Sequence, residues 1–127
     1  MRLNQVTVPA TDMKRAVEFY KTLGLRQIVD GGDDYARFEC TAGDSTFSIH
    51  RVDQLAGPSG VTVYFECDDL DGKYEELLAL GIEFASAPED MRWLWREARL
   101  HDPTGNEICL FQAGENRKNP PWRLTES

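Results

Sequence analysis

No run of this sequence approaches the roughly 20 consecutive apolar residues that a membrane-crossing helix requires. The opening MRLNQVTVPATD also lacks the basic-then-apolar pattern of a secretory leader. The expectation is a cytoplasmic protein with no membrane partner. Cysteine is scarce: Cys40, Cys67 and Cys109 are odd in number, widely spaced and without a CxxC pair, which argues against a disulfide framework or a zinc knuckle. Reduced thiols follow. Positive charge is short as well, with 14 Lys and Arg against 22 Asp and Glu, a net charge of −8 and a pI near 4.7. Phosphate recognition relies on clustered Lys and Arg, so no nucleic-acid partner is expected, whereas a cationic ligand is compatible.

What is present fits one domain over residues 1–127, because 41% hydrophobic residues can form a core without metals or disulfides. Sliding the chain against itself superposes Asp12 on Asp69, Leu23 on Leu80 and Gly24 on Gly81, a constant offset of 57. In the first copy the strand-like LNQVTV leads to an N-cap at Thr11 or Asp12. A helical stripe of Met13, Ala16, Val17, Tyr20 and Leu23 follows, closed by Gly24. The second copy repeats the plan with VTVYFEC, acidic caps at Asp68 and Asp69, a stripe of Leu70, Tyr74, Leu77 and Leu78, and Gly81 as the stop.

Three strand-like runs separated by turn residues follow each helix. They lie around Gln27 to Val29, Tyr35 to Cys40 and Thr46 to Val52, then around Glu83 to Ser86, Trp93 to His101 and Asn106 to Gln112. The predicted fold is therefore α+β, with two βαβββ modules at about 1–52 and 61–112. A Gly, Pro and Ser linker over 53–60 joins them, and an extended arm over 113–127 ends the chain.

The strand followed by "DMKRAVEFYKTLGL", together with "HDPTGNEICLF" near the end, resembles the vicinal oxygen chelate superfamily of glyoxalase I, extradiol dioxygenases and bleomycin-resistance proteins. The resemblance spans residues 1 to about 112 and implies that the two modules form an open, cup-shaped sheet. It also implies metal ligands on the first and last strand of each module. The matching positions here are Gln5, Ser48, Thr62 and Cys109. None is a strong ligand for a divalent ion except a Cys thiolate, and one thiolate does not make a catalytic zinc site.

Residues two apart on a strand share a face, so Thr7, His50, Tyr64, Glu66, Glu107 and Phe111 are expected inward beside those four. The family's strand before the DPxG turn adds Trp93, Trp95, Glu97 and Arg99. Each residue also has a plainer reading. Cys109 is a packed thiol or a nucleophile served by His50; His50 is a base, a shifted metal ligand or a pocket-lining polar group. The two indoles are core or a stacking surface, and the Arg99 and Glu97 pair is self-neutralising or holds a substrate carboxylate.

The implied function is metal-free binding of a small organic molecule in a concave cup, with no cofactor, by a homodimer whose Trp122 anchors the arm. The alternative is a metal-dependent lyase, isomerase or dioxygenase of the same superfamily that uses displaced ligands such as His50, Glu66 and Glu97. Whether the chain is an enzyme stays open on sequence grounds.

Overall fold

The computed structural model describes residues 1–58 and 60–125. It divides into two compact units: Met1–Val61 with Asp102–Asn106, and Thr62–His101 with the chain from Glu107 onward. The paired βαβββ architecture expected from the repeat is present, one motif to each unit.

In the first unit β1 (Gln5–Ala10) leads into α1 (Met13–Leu23), followed by β2 (Arg26–Asp30), β3 (Tyr35–Glu39) and β4 (Thr46–Arg51). The sheet order is β1-β4-β3-β2, with β1 and β4 parallel. Asp12 caps α1 by accepting from the Arg15 amide at 3.1 Å. Gly24 ends the helix at φ 111°, a left-handed conformation that costs other residues a clash at Cβ. Between those ends Met13, Ala16, Tyr20 and Leu23 are buried. The Tyr20 ring lies 4.5 Å from Phe47 and 6.1 Å from Phe38, which fixes the helix-covered face of the sheet. The other face carries Gln5, Thr7, Thr46, Ser48, His50, Tyr35 and Arg37 by strand alternation.

The "DPTG" turn belongs to this unit, and its organiser is the buried Asp102. One carboxylate oxygen accepts the amides of Thr104, Gly105 and Asn106 at 2.9 to 3.0 Å. The other accepts the Tyr20 hydroxyl at 2.6 Å and the Asn106 side chain at 2.8 Å. Asn106 also donates to the Pro9 carbonyl, so the turn residues have a structural reason to be polar and buried.

In the second unit β5 (Thr62–Glu66) and α2 (Leu70–Ala79) precede β6 (Glu89–Asp90), β7 (Arg96–His101) and β8 (Glu107–Gln112), in the order β5-β8-β7-β6. Asp69 caps α2 through the Gly72 amide at 3.1 Å, and Gly81 follows the helix at φ 90°. Leu70 and Leu77 are buried, but Leu78 is 41% exposed rather than part of the packed stripe. Positions 70, 74 and 77 share a helical face, whereas 78 lies about 100° round from 77.

Two strand expectations need correction. Glu83 to Ser86 is not a strand; its Ala85 and Ser86 amides meet the Arg99 carbonyl singly, and the ladder begins only beyond Pro88, which has no amide to give. The strand expected from Trp93 starts instead at Arg96. Residues 91–95 form the hairpin turn, with Met91 N–H donating to the Trp95 carbonyl and Leu94 at φ 70°. After β8 a 3-10 turn at Gly114–Arg117 opens the segment expected to be extended throughout.

The Tyr20 to Asp102 contact generates a testable expectation. Burial, reinforced by the Asp102 carboxylate, holds the Tyr20 phenol above its ordinary range. As pH rises past the ordinary tyrosine value of 10.0, the unfolded chain releases this proton while the folded chain retains it, so stability falls with pH in that range. Tyr20→Phe should lose about 1.5–3 kcal/mol in urea unfolding at pH 7, the usual range for a hydrogen bond to a charged group. Its stability should then decline less steeply than the parent's above pH 10. Equal slopes would show that Tyr20 does not carry the linkage.

Candidate functional site

Each sheet has one face packed on its helix and one turned away from it, and the away-facing residues carry the polar chemistry. In the second unit the register aligns Arg99, Cys109 and Tyr64 in one cross-strand row and Glu97, Phe111 and Glu66 in the next. On this face Trp95 stacks on Phe111 with centroids 4.6 Å apart and planes 20° apart. Tyr64 meets both edge-on, at 6.0 Å from Trp95 and 5.6 Å from Phe111. Phe111 is buried with Cys109 and Ala113 beneath Trp95, so the accessible rings of this aromatic platform are those of Trp95 and Tyr64.

Polar groups rim the platform. Glu97 is only 1% exposed, yet both carboxylate oxygens are satisfied, one by the Trp93 indole N–H at 2.8 Å and one by Arg99 at 3.2 Å. Arg99 also donates to the Tyr64 hydroxyl at 3.1 Å and lies 5.8 Å from its ring centroid. The Trp95 indole donates to the Asn116 carbonyl, and Arg117 lies 3.4 Å from Glu66, so the segment after β8 fixes the platform's edge. Trp93, Arg92 and Trp122 line an adjoining cavity of about 330 Å³.

The first unit's open face is different. Ser48 is fully buried and shares a 2.7 Å hydrogen bond with the Tyr35 hydroxyl, which also accepts from Arg37 Nε at 2.8 Å. His50 is exposed and pairs in register with Tyr35. Gln5 accepts from Thr46 at 2.8 Å. Tyr35 and Arg37 were not among the residues singled out from the sequence. The polar positions 35, 37 and 39 alternating with buried Ala36 and Phe38 were the available signal. Two further hollows of this unit, about 640 Å³ along β2 and about 500 Å³ beside residues 52–58, include none of the expected site residues.

The chain matches the model of the glyoxalase/bleomycin resistance protein/dioxygenase superfamily over residues 2–110. The chain belongs to that superfamily. It is similar to YraH of Bacillus subtilis (strain 168), with 27% identity over 88% of this chain and 98% of that protein. Among solved structures, a glyoxalase/bleomycin resistance protein/dioxygenase from Nocardioides superposes with TM-score 0.75 at 26% identity, over 98% of this chain and 90% of that one. TnmS3, an antibiotic-binding protein from Streptomyces sp. CB03234, superposes with TM-score 0.72 at 25% identity, over 89% and 96%.

The metal ligands implied by this superfamily fall on residues that do not suit a metal. Gln5 and Thr62 are neutral and engaged with Thr46 and Glu107, and Ser48 is bound to Tyr35. Burial, reinforced by the Glu97 carboxylate, pushes the free Cys109 thiol up to about 12, so without a metal it is a poor nucleophile at neutral pH; as a ligand it would stand as a single thiolate among neutral oxygen groups. The displaced candidates do not repair the set. Glu97 is already doubly hydrogen-bonded, and among the described residues no three His, Cys, Asp or Glu side chains cluster to hold an ion.

Burial raises the Cys40 and Cys67 thiols as well, but both are part-exposed whereas Cys109 is fully buried, so iodoacetamide at pH 8 should label native Cys40 and Cys67 slowly and leave Cys109 unmodified, as read by peptide mass spectrometry. In urea all three should label. Preferential labelling of native Cys109 would mean that its surroundings favour the thiolate after all.

Proposed function

We propose that this chain binds a small organic molecule, without a metal, by stacking a planar part of it on the accessible Trp95 and Tyr64 rings that Phe111 supports from beneath. The observation that carries the reading is the ordered aromatic stack on the face turned away from the helix. Such faces attract flat groups, and attract cations by an amount on the order of 0.5–2 kcal/mol.

Charge selects further. The second unit's residues hold 13 acidic and 7 basic side chains, a net −6 of the chain's −8. Its nearest ion pairs, Arg99 with Glu97 and Arg117 with Glu66, are internally balanced. The preference for a cation thus comes from the unit's overall field rather than from a free carboxylate at the rim. Gln5, Ser48, His50 and Thr62 take a lesser part in this reading, as polar groups of the open faces. The antibiotic-binding relative TnmS3 supports sequestration as the outcome of binding. A cytoplasmic homodimer completes the proposal, with the exposed Trp122 of the C-terminal segment as the apolar anchor a partner copy covers.

The test is a fluorescence titration in a Trp122→Phe background with ethidium, a planar cation, and with phenanthridine, its uncharged parent. Both should quench tryptophan emission, ethidium more tightly. Trp95→Ala should weaken both about tenfold, the order expected for loss of stacking and cation–π attraction, and raised salt should weaken ethidium alone. Because Trp95 covers Phe111, Tyr64→Ala provides a second variant with the same expected direction. Affinity unmoved by both substitutions would place the indole in a purely packing role.

A further inference from the structure

We propose that the open face of the first unit is a binding site for an organic carboxylate, held by the guanidinium of Arg37 with the Tyr35 hydroxyl beside it. It does not depend on the aromatic platform of the second unit. Arg37 is half-buried on β3, and its Nε is spent on Tyr35 at 2.8 Å. Its two terminal nitrogens have no hydrogen bond or ion pair among the described residues. The one carboxylate on the same strand face, Glu39, is already paired with Arg26 at 3.4 Å. A guanidinium whose base is fixed and whose fork is free is shaped for the two oxygens of a carboxylate.

The neighbouring hydroxyls strengthen the case. Between Tyr35 and Ser48 one hydroxyl hydrogen makes the 2.7 Å contact, and whichever residue supplies it, the other keeps a hydrogen with no partner among the described residues. The cluster is therefore rich in donors and poor in acceptors. Hydrogen bonding from Ser48, with the Arg37 guanidinium adding to it, lowers the Tyr35 phenol below its ordinary range, which reports the same bias toward negative charge. In register, His50 stands opposite Tyr35 and Thr7 opposite Ser48, so no carboxylate occupies either row.

Carboxylate is favoured over phosphate by count of charge. The cluster offers a single guanidinium, that of Arg37, in a unit whose net charge is −2, from 7 basic and 9 acidic residues, which suits a monoanion better than a dianion.

The probe is benzoate, with benzamide as its uncharged isostere and inorganic phosphate as a competing anion. Binding is followed by NMR through the backbone amides of Tyr35, Arg37 and Ser48. Benzoate should shift these amides saturably, benzamide should not, and phosphate should bind more weakly than benzoate. Arg37→Gln should weaken benzoate at least about tenfold, the lower end of what a charged hydrogen bond supplies. Arg37→Lys, which keeps the charge and the fold but loses the fork, should fall between, and Lys14→Gln on the exposed side of α1 should change nothing. Equal binding of benzamide, tighter binding of phosphate, or an equal loss in Lys14→Gln and Arg37→Gln would each overturn the assignment. The readout lies wholly in the first unit, so it is separate from the ethidium titration.

Discussion

The arrangement rests on a cross-strand register that sets a guanidinium opposite a small uncharged residue in each unit: Arg37 opposite Ser48, and Arg99 opposite Cys109. Directly opposed side chains start about 5 Å apart. Were a divalent cation held about 5 Å from such a guanidinium, it would be opposed by on the order of 6 kcal/mol at an effective dielectric near ~20. The superfamily fold is thus kept while its ligand positions become places where positive charge already sits. In the second unit Glu97 offsets that charge, but in doing so both its oxygens are used.

From this constraint the two open faces diverge. In the second unit Arg99 is consumed by Glu97 and Tyr64, which leaves the part-exposed Trp95 and Tyr64 rings as the accessible chemistry and a strongly acidic unit around them. In the first unit Arg37 is braced by Tyr35 and Ser48 but not neutralised, which leaves a donor-rich polar patch. One fold, used twice within a chain, therefore carries an aromatic face in one unit and a donor-rich polar face in the other, the difference residing in whether a buried carboxylate or a phenol stands two residues before the arginine.

The helices and their ends were legible because their signals are local: Asp12 and Asp69 cap, Gly24 and Gly81 terminate, and the 57-residue offset exposes the duplication. Strand parity put Tyr64, Glu97, Arg99, Cys109 and Phe111 on one face, which the ladder registers share. What stayed hidden depends on distant partners or on single backbone angles. Nothing in "MRWLWREARL" announces that Leu94 takes a positive φ and turns the chain, so the strand was expected three residues too early. Leu78 looked like core because it is apolar, although the face of α2 that packs is filled by Leu70, Tyr74 and Leu77. Arg37 and Tyr35 escaped notice because each is an ordinary strand residue until the fold brings Ser48 against them.

The central claim is that charge and donor placement have turned a metal-binding fold into one that binds organic molecules directly. Its most direct test is equilibrium dialysis of the purified protein against zinc, manganese and nickel at pH 7.5, with metal counted by mass spectrometry. The account predicts well under one ion per chain for each metal and no change in Gln5→Ala. A near-stoichiometric ion that survives dialysis and is lost in Gln5→Ala or Cys109→Ala would contradict it.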